Sequence, residues 1–311
     1  MTLLYYHRRF LDHDTGAHPE RPARLSQVIS HLEHEGLAAR CRRENWQRVS
    51  PQRLARVHRP DYAAALEAFA RQGGGRIEVD TVVCPASYDV ATLAAGAVAD
   101  AVDRVIRGEE KNALCLVRPP GHHALAAGAM GFCLFNNVAI GAKVAIDELQ
   151  LDRVLIVDWD VHHGNGTQDA FWTDPRVGFL SIHRWPCYPG TGDSDETGAG
   201  AGLGTTLNVP VKFGTSRHDY LAQFRRALET FADRLRPQLV LISAGFDSHR
   251  DDPVGSLGLE IEDFQTLTQA VQQVAQTHAQ GRMVSVLEGG YNPGILAGCV
   301  EVHLLELLGQ K

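Results

Sequence analysis

The residues in this sequence best suited to chemistry stand two apart: Asp158, Asp160 and His162, within Val157-Asp158-Trp159-Asp160-Val161-His162-His163 and directly after the apolar run at 154–157. In extended backbone, alternate side chains leave the same face, so this spacing predicts two carboxylates and an imidazole side by side, with Trp159 and Val161 packed on the other. Such a group repels itself unless a cation stands among the acids or one acid is protonated, and a divalent metal is the simplest solution. Asp247, after Ser243-Ala244-Gly245-Phe246, adds a third candidate ligand. Asp160, His162 and Asp247 with an open position would match a catalytic zinc rather than a structural one, which wants four ligands, usually with sulfur. A lone Asp-x-His reads as a solvated turn, but the buried strand before this one favours a site.

His122 and His123 follow Arg118-Pro119-Pro120-Gly121 at the end of another apolar run. Taken alone, adjacent histidines read as a surface loop. Here Pro and Gly stiffen and tighten the turn that holds them, and imidazoles titrating near neutrality can take a proton from water and return it to a leaving group. Tyr291, after Glu288-Gly289-Gly290, either packs or donates a hydrogen bond to an oxyanion. For Gly131-Phe132-Cys133-Leu134-Phe135-Asn136-Asn137, core packing and a substrate wall stand equally open. The six cysteines are scattered without a C-x-x-C pair, so free, mostly buried thiols are expected.

Positioning these groups requires strands that end on a common rim. Apolar runs at 3–6, 113–117, 154–157, 177–180, 239–242 and 283–287 read as strands. Helical periodicity marks 24–35, 61–71, 90–107, 138–148, 217–235, 261–277 and 294–308. This alternation predicts a parallel sheet covered by helices on both faces, and strands apolar at every position fit burial on both sides. In such a sheet ligands bind beyond the carboxyl ends of the strands, and five of these ends carry the polar motifs. The Gly- and Asp-rich stretch at 186–204 reads as a long functional loop. No linker divides the chain, so one domain is expected.

The 311 residues, 44% hydrophobic and 22% charged, exclude disordered and fibrous classes. A net charge of −7, without long basic tracts, argues against nucleic acid as a direct ligand. No apolar run approaches the roughly 18 residues of a membrane span, and no signal-peptide pattern opens the chain, so a cytoplasmic location is expected.

Taken together, Arg118 to His123, Gly131 to Asn137, Val157 to Gln168, Ser243 to Asp247 and Leu287 to Asn292 resemble the histone deacetylase family of the arginase-deacetylase superfamily. The likeness is closest to the class II branch and the bacterial histone deacetylase-like amidohydrolases. His18-Pro19-Glu20-Arg21-Pro22-Ala23-Arg24 resembles the same family, and the motifs keep its order over nearly the whole chain. The resemblance implies the arginase-deacetylase fold, a single catalytic α/β domain over 1–311 with a parallel sheet of about eight strands, more than the six runs found.

It further implies one zinc per chain on Asp160, His162 and Asp247, with His123 as general base and then general acid. His122, paired with Asp158, would stay nearer its charged form and stabilise the transition state, and Tyr291 would hold the acyl oxygen. Gly131, Phe132 and Tyr188 would line a narrow channel, and Arg21 would stand beside the pocket through which acetate leaves. Members often hold potassium near the zinc; the matching positions are Asp158, Asp160, His162, Ser181 and Ile182. Asn165 stands where class I has an aspartate beside the second histidine, and an amide would hold His123 at a lower pKa than a carboxylate would. Tyr188 replaces the more usual Phe.

The expected reaction is hydrolysis of an N-acetyl amide on a lysine-like aliphatic amine, releasing acetate. The nearest alternative is an acetylpolyamine amidohydrolase. A two-metal ureohydrolase on the same fold is disfavoured, since Ser248 and His249 follow Asp247 where a second metal would need Asp-x-Asp. A non-catalytic module that binds acyl chains is the alternative from another class. Oligomeric state is not legible.

Overall fold

The computed structural model describes residues 1–309. In chain order its elements are β1 (Thr2–Tyr5), α1 (Pro22–His34), β2 (Arg42–Arg43), α2 (Pro51–Leu54), α3 (Pro60–Arg71), β3 (Gly75–Arg76), β4 (Val82–Val83), α4 (Ser87–Ile106), β5 (Asn112–Cys115) and α5 (Asn137–Asp147). There follow β6 (Val154–Asp158), α6 (Asn165–Phe171), β7 (Val177–Arg184), β8 (Thr206–Val211), α7 (Arg217–Leu235), β9 (Leu239–Ala244), α8 (Ile261–His278), β10 (Met283–Leu287) and α9 (Pro293–Leu307).

Eight strands form one parallel sheet in the order β2-β1-β5-β10-β9-β6-β7-β8, while β3 and β4 make a separate antiparallel hairpin. Helices α4 and α5 pack together on one face, and α1, α7, α8 and α9 form the layer on the other. The central strands are buried at every residue, as their predominantly apolar runs require. The result is a single α/β domain. Among the described residues no helix is long and apolar enough to cross a membrane.

All six expected strands are present, and the seven expected helices agree to within a few residues at each end. The two further strands of the sheet are its edges. β2 is only two arginines long, and β8 alternates in burial around Pro210 instead of running apolar throughout. Edge strands are half solvated, so they lack the signal that identifies central ones. The stretch at 186–204 is irregular apart from one short turn of 3-10 helix, Gly200–Gly202. All six cysteines are free, and Cys115, Cys133 and Cys299 are fully buried.

Two packing constraints hold the frame around the strand ends. In α4, the backbone of 47–49 runs against Gly96: a Cβ there would stand 2.1 Å from the Gln47 oxygen and 2.9 Å from the Val49 nitrogen. Near the amino terminus, Glu20 is buried between two buried arginines. Arg118 donates from Nε at 2.5 Å and from Nη2 at 2.7 Å to its two oxygens, and Arg24 donates from Nη1 at 3.0 Å. Arg118 also donates to the Phe10 and His13 carbonyls, tying the segment after β1 to the turn after β5. Burial alone would raise the Glu20 pKa, but Arg118 and Arg24 outweigh it and hold the carboxyl well below its usual range.

Alanine is the better helix former by about 1 kcal/mol, yet Gly96→Ala should destabilise the protein by about 1–3 kcal/mol through overpacking, read from its urea midpoint. Glu20→Gln, which strips a buried ion pair of its anion, should cost about 3–5 kcal/mol by the same measurement at pH 7. Because the folded-state pKa is depressed, Glu20's contribution is present above about pH 4.3 and fades as acid protonates it. The gap between the wild type and Glu20→Gln should therefore narrow towards low pH.

Candidate active site

The parallel sheet delivers the ends of β5, β6, β7, β9 and β10 to one rim. Asp158 is the last residue of β6, after which the chain bends instead of continuing extended. This corrects the expected strand alternation. Asp158 Oδ1 accepts the Asp160 N–H at 3.1 Å, and Asp160 Oδ1 accepts the His162 N–H at 2.9 Å, so each acid folds the backbone two residues ahead of it. The gathering of side chains survives by this different route.

Asp160, His162 and Asp247 offer ligand atoms that all lie within 4.8 Å of one another, and all three residues are buried. His162 Nδ1 stands 3.1 Å from Asp160 Oδ1 and 3.1 Å from Asp247 Oδ2. Asp247 is held by the Val161 N–H at 2.9 Å, and Asp160 Oδ2 accepts the Gly289 N–H at 2.8 Å. Asp247 Oδ2 is buried, and apart from the His162 ring nitrogen at 3.1 Å, which does not align as a good hydrogen bond, no donor reaches it. Burial, then the charge of Asp160, pushes the Asp247 carboxyl up to about 7. A Cβ at Gly245 would lie 2.1 Å from Asp160 Oδ2, and one at Gly289 would lie 2.3 Å from Asp247 Oδ2. Only glycine leaves room for these carboxylates.

These observations fit a divalent cation: two buried carboxylates and an imidazole converge, one carboxylate oxygen has no well-aligned donor, and no sulfur takes part. A second group able to hold a metal, His122, Cys133 and Glu288, lies beside them. Its Glu288 Oε2 is already occupied, accepting the Gly121 N–H at 2.6 Å and the His122 N–H at 3.2 Å. Glu288 thus fixes the turn that presents both histidines, a role unassigned from sequence although its motif was conspicuous.

The two histidines sit with ring centroids 4.0 Å apart, in opposite environments. His122 Nδ1 is 3.1 Å from Asp158 Oδ2. Burial would lower its pKa, but the Asp160 and Asp158 carboxylates outweigh that and push it up to about 10. His123 Nδ1 is 2.7 Å from Asn165 Oδ1. The Asn165 amide nitrogen is turned to Met130 Sδ at 3.4 Å, leaving its oxygen to accept the imidazole N–H. Burial, together with His122 and His162, holds the His123 pKa well below the ordinary range. The pair therefore combines a cation with a neutral base.

A cavity of about 260 Å³ opens above these groups, walled by Gly131, Phe132, Tyr188 and Tyr291, with His123 and His162 at its base. Gly131 and Phe132 are both left-handed, at φ 55° and 68°, and a Cβ on Gly131 would strike His123 Cδ2 at 2.3 Å. Thr81 Oγ1 accepts the Phe132 N–H at 3.0 Å, and the Phe132 ring meets Tyr291 edge-on at 5.5 Å. Tyr188, 38% exposed, faces His123 at 5.2 Å between ring centroids. Burial raises the Tyr291 phenol well above its usual pKa, so it is a neutral donor. Asp80, Cys187 and Val254 also line the cavity. Cys187 belongs to the 186–204 stretch expected to be a functional loop, whereas Asp80 and Val254 come from loops without recognisable motifs, and no sequence signal pointed to those two.

The arginine beside Tyr291 is Arg24, not Arg21. Arg21 is exposed at the start of α1, whereas Arg24, nearly one helical turn later, points inward. Its guanidinium lies 4.8 Å from the Tyr291 ring centroid and donates at 2.5 Å to the carbonyls of Gly290 and Glu288. Asp158 and Ser181 are cross-strand partners in the β6–β7 register, with Ile182 next along β7. The stretch expected to hold potassium is thus contiguous with Asp160 and His162.

A family model described as the histone deacetylase domain matches residues 18–307. Over 295 residues the chain is 37% identical to the histone deacetylase-like amidohydrolase of Pseudomonas aeruginosa, covering 94% of this chain and 78% of that protein. It is 41% identical over 326 residues to the polyamine deacetylase HDAC10 of Homo sapiens, covering 99% of this chain and 48% of that one. The crystal structure of the HDA15 HD domain aligns with a TM-score of 0.94 at 36% identity, over 99% of this chain and 88% of that one. Matched from near its first helix to the end of its last, the chain belongs to the histone deacetylase family.

Proposed function

We propose that this protein is a cytoplasmic zinc-dependent deacetylase that hydrolyses the N-acetyl amide of a lysine-like aliphatic amine. The observation carrying this reading is the convergence of Asp160, His162 and Asp247 beneath a narrow aromatic cavity, with a neutral and a charged imidazole beside them. Those three residues would hold one zinc, which when bound supplies Lewis acidity to the amide carbonyl and to water. A potassium ion at Asp158, Asp160, His162, Ser181 and Ile182 belongs to the same reading.

His123 is the general base. Its Nδ1–H is committed to Asn165, so Nε2 is free to take a proton from the attacking water and deliver it to the departing amine. His122, kept cationic by Asp158, stabilises negative charge developing beside it. Tyr291 donates its hydroxyl hydrogen to the acyl oxygen as that oxygen becomes an anion. Phe132 and Tyr188 hold the methylene chain and exclude water. Arg24 takes the place first given to Arg21, as the cation near which acetate leaves.

Polyamine substrates are the second reading, supported by the carboxylate of Asp80 on the cavity wall and by the name of the HDAC10 relative. An acyl-binding module without turnover is the third. Three results test these readings. Tyr291→Phe should lower kcat by about two to three orders of magnitude with bound zinc unchanged, and an unaltered kcat removes Tyr291 from the chemistry. In side-by-side kinetics, kcat/KM should be higher for an acetyl-lysine peptide than for N-acetylputrescine; the reverse order assigns polyamines. A chelator should abolish acetate release, and zinc-loaded protein that binds substrate without releasing acetate supports the module.

A further inference from the structure

Tyr291 follows two glycines, and Gly290 adopts φ +117°, so the local backbone has little preference of its own for where the phenol points. The Gly290–Tyr291 peptide group is instead gripped at both ends. Its carbonyl accepts from Arg24 Nε at 2.5 Å, and its N–H donates to Asp252 Oδ2 at 2.6 Å. The other oxygen of Asp252 accepts the N–H groups of Val254 at 2.9 Å and Gly255 at 3.0 Å. Val254 lines the substrate cavity. Gly255 lies so close to the metal-ligand segment that a Cβ there would be 2.3 Å from the Asp247 carbonyl oxygen.

We propose that Asp252 is a positioning residue for deacetylation, setting the Tyr291 phenol by fixing its peptide plane and linking that plane to the channel wall at Val254. The inference rests on Tyr291 acting as oxyanion donor, as proposed above. The phenol oxygen stands about 6.5 Å from its Cα, so a tilt of roughly ten degrees in the plane displaces it by about 1 Å, an error that can cost up to about a hundredfold in rate. A carboxylate suits the position because three N–H groups converge on two acceptor oxygens. In Asp252→Asn, one of those oxygens becomes an NH₂ group facing donors, so one side of the link must open.

The test is a double-mutant cycle in the zinc-loaded, full-length protein with an acetylated peptide substrate. Asp252→Asn should lower kcat about ten- to a hundredfold, leave KM within about twofold, and keep the metal content and thermal midpoint near wild type. Added to Tyr291→Phe, it should change kcat by less than about twofold, because the group it positions is already gone. Should Asp252→Asn fail to fold, the same cycle is run with Asp252→Glu, which keeps the charge and moves it by one methylene. An unchanged kcat in the single variant, or a full further loss in the Tyr291→Phe background, overturns the role of Asp252. If Tyr291→Phe itself retains wild-type kcat, the oxyanion assignment falls, and this inference with it.

Discussion

Three carboxylates with almost no access to water, Asp158, Asp160 and Asp247, are forced together where neighbouring parallel strands end, and everything around them answers that crowding. Left alone they would repel one another in a medium far less polarisable than water. The molecule supplies His122 as one counter-charge and points backbone N–H groups at the acid oxygens from Val161, Asp160, His162 and Gly289. Glycine at 245 and 289 keeps the space clear. This concentration of buried carboxylates makes the place fit to seat a cation, with the two adjacent histidines standing beside it.

The same crowding differentiates two histidines that adjoin in sequence. His122 faces the acids and is kept charged. His123 faces an amide, with two imidazoles near it, and is kept neutral. Neither property belongs to the residue type. A carboxylate at position 165 would blur the contrast, because it would favour the imidazolium form of His123.

The interior of the sheet was readable from sequence because burial on both faces leaves β5, β6, β9 and β10 predominantly apolar, and the polar motifs begin at or just beyond the ends of those runs. What was not readable depends on folding in three dimensions. β2 and β8 lie at the edges, where one side meets solvent and the apolar signal fades. His18 to Arg24 contains two arginines, and only the phase of α1 decides that Arg24 turns inward. Asp80, Val254 and Asp252 come from irregular segments whose contacts are with distant parts of the chain, so no periodicity marks them. Asp160 and His162 did converge as expected, but through successive turns capped by their own acids rather than through strand pleating.

The strand order carries a consequence for biogenesis. Among the described residues β10 comes last of the sheet's strands in sequence, yet it lies between β5 and β9 near the middle of the sheet. Until it inserts, the half of the sheet containing β1 and β5 and the half containing β9, β6 and β7 have no shared hydrogen bonds, and each exposes an apolar edge. A ribosome must therefore emit the chain through residue 287 before the two halves can join, and contacts of such long sequence separation form slowly. Nascent chains stalled before residue 283 would present two sticky sheet margins, the kind of surface on which chaperones act.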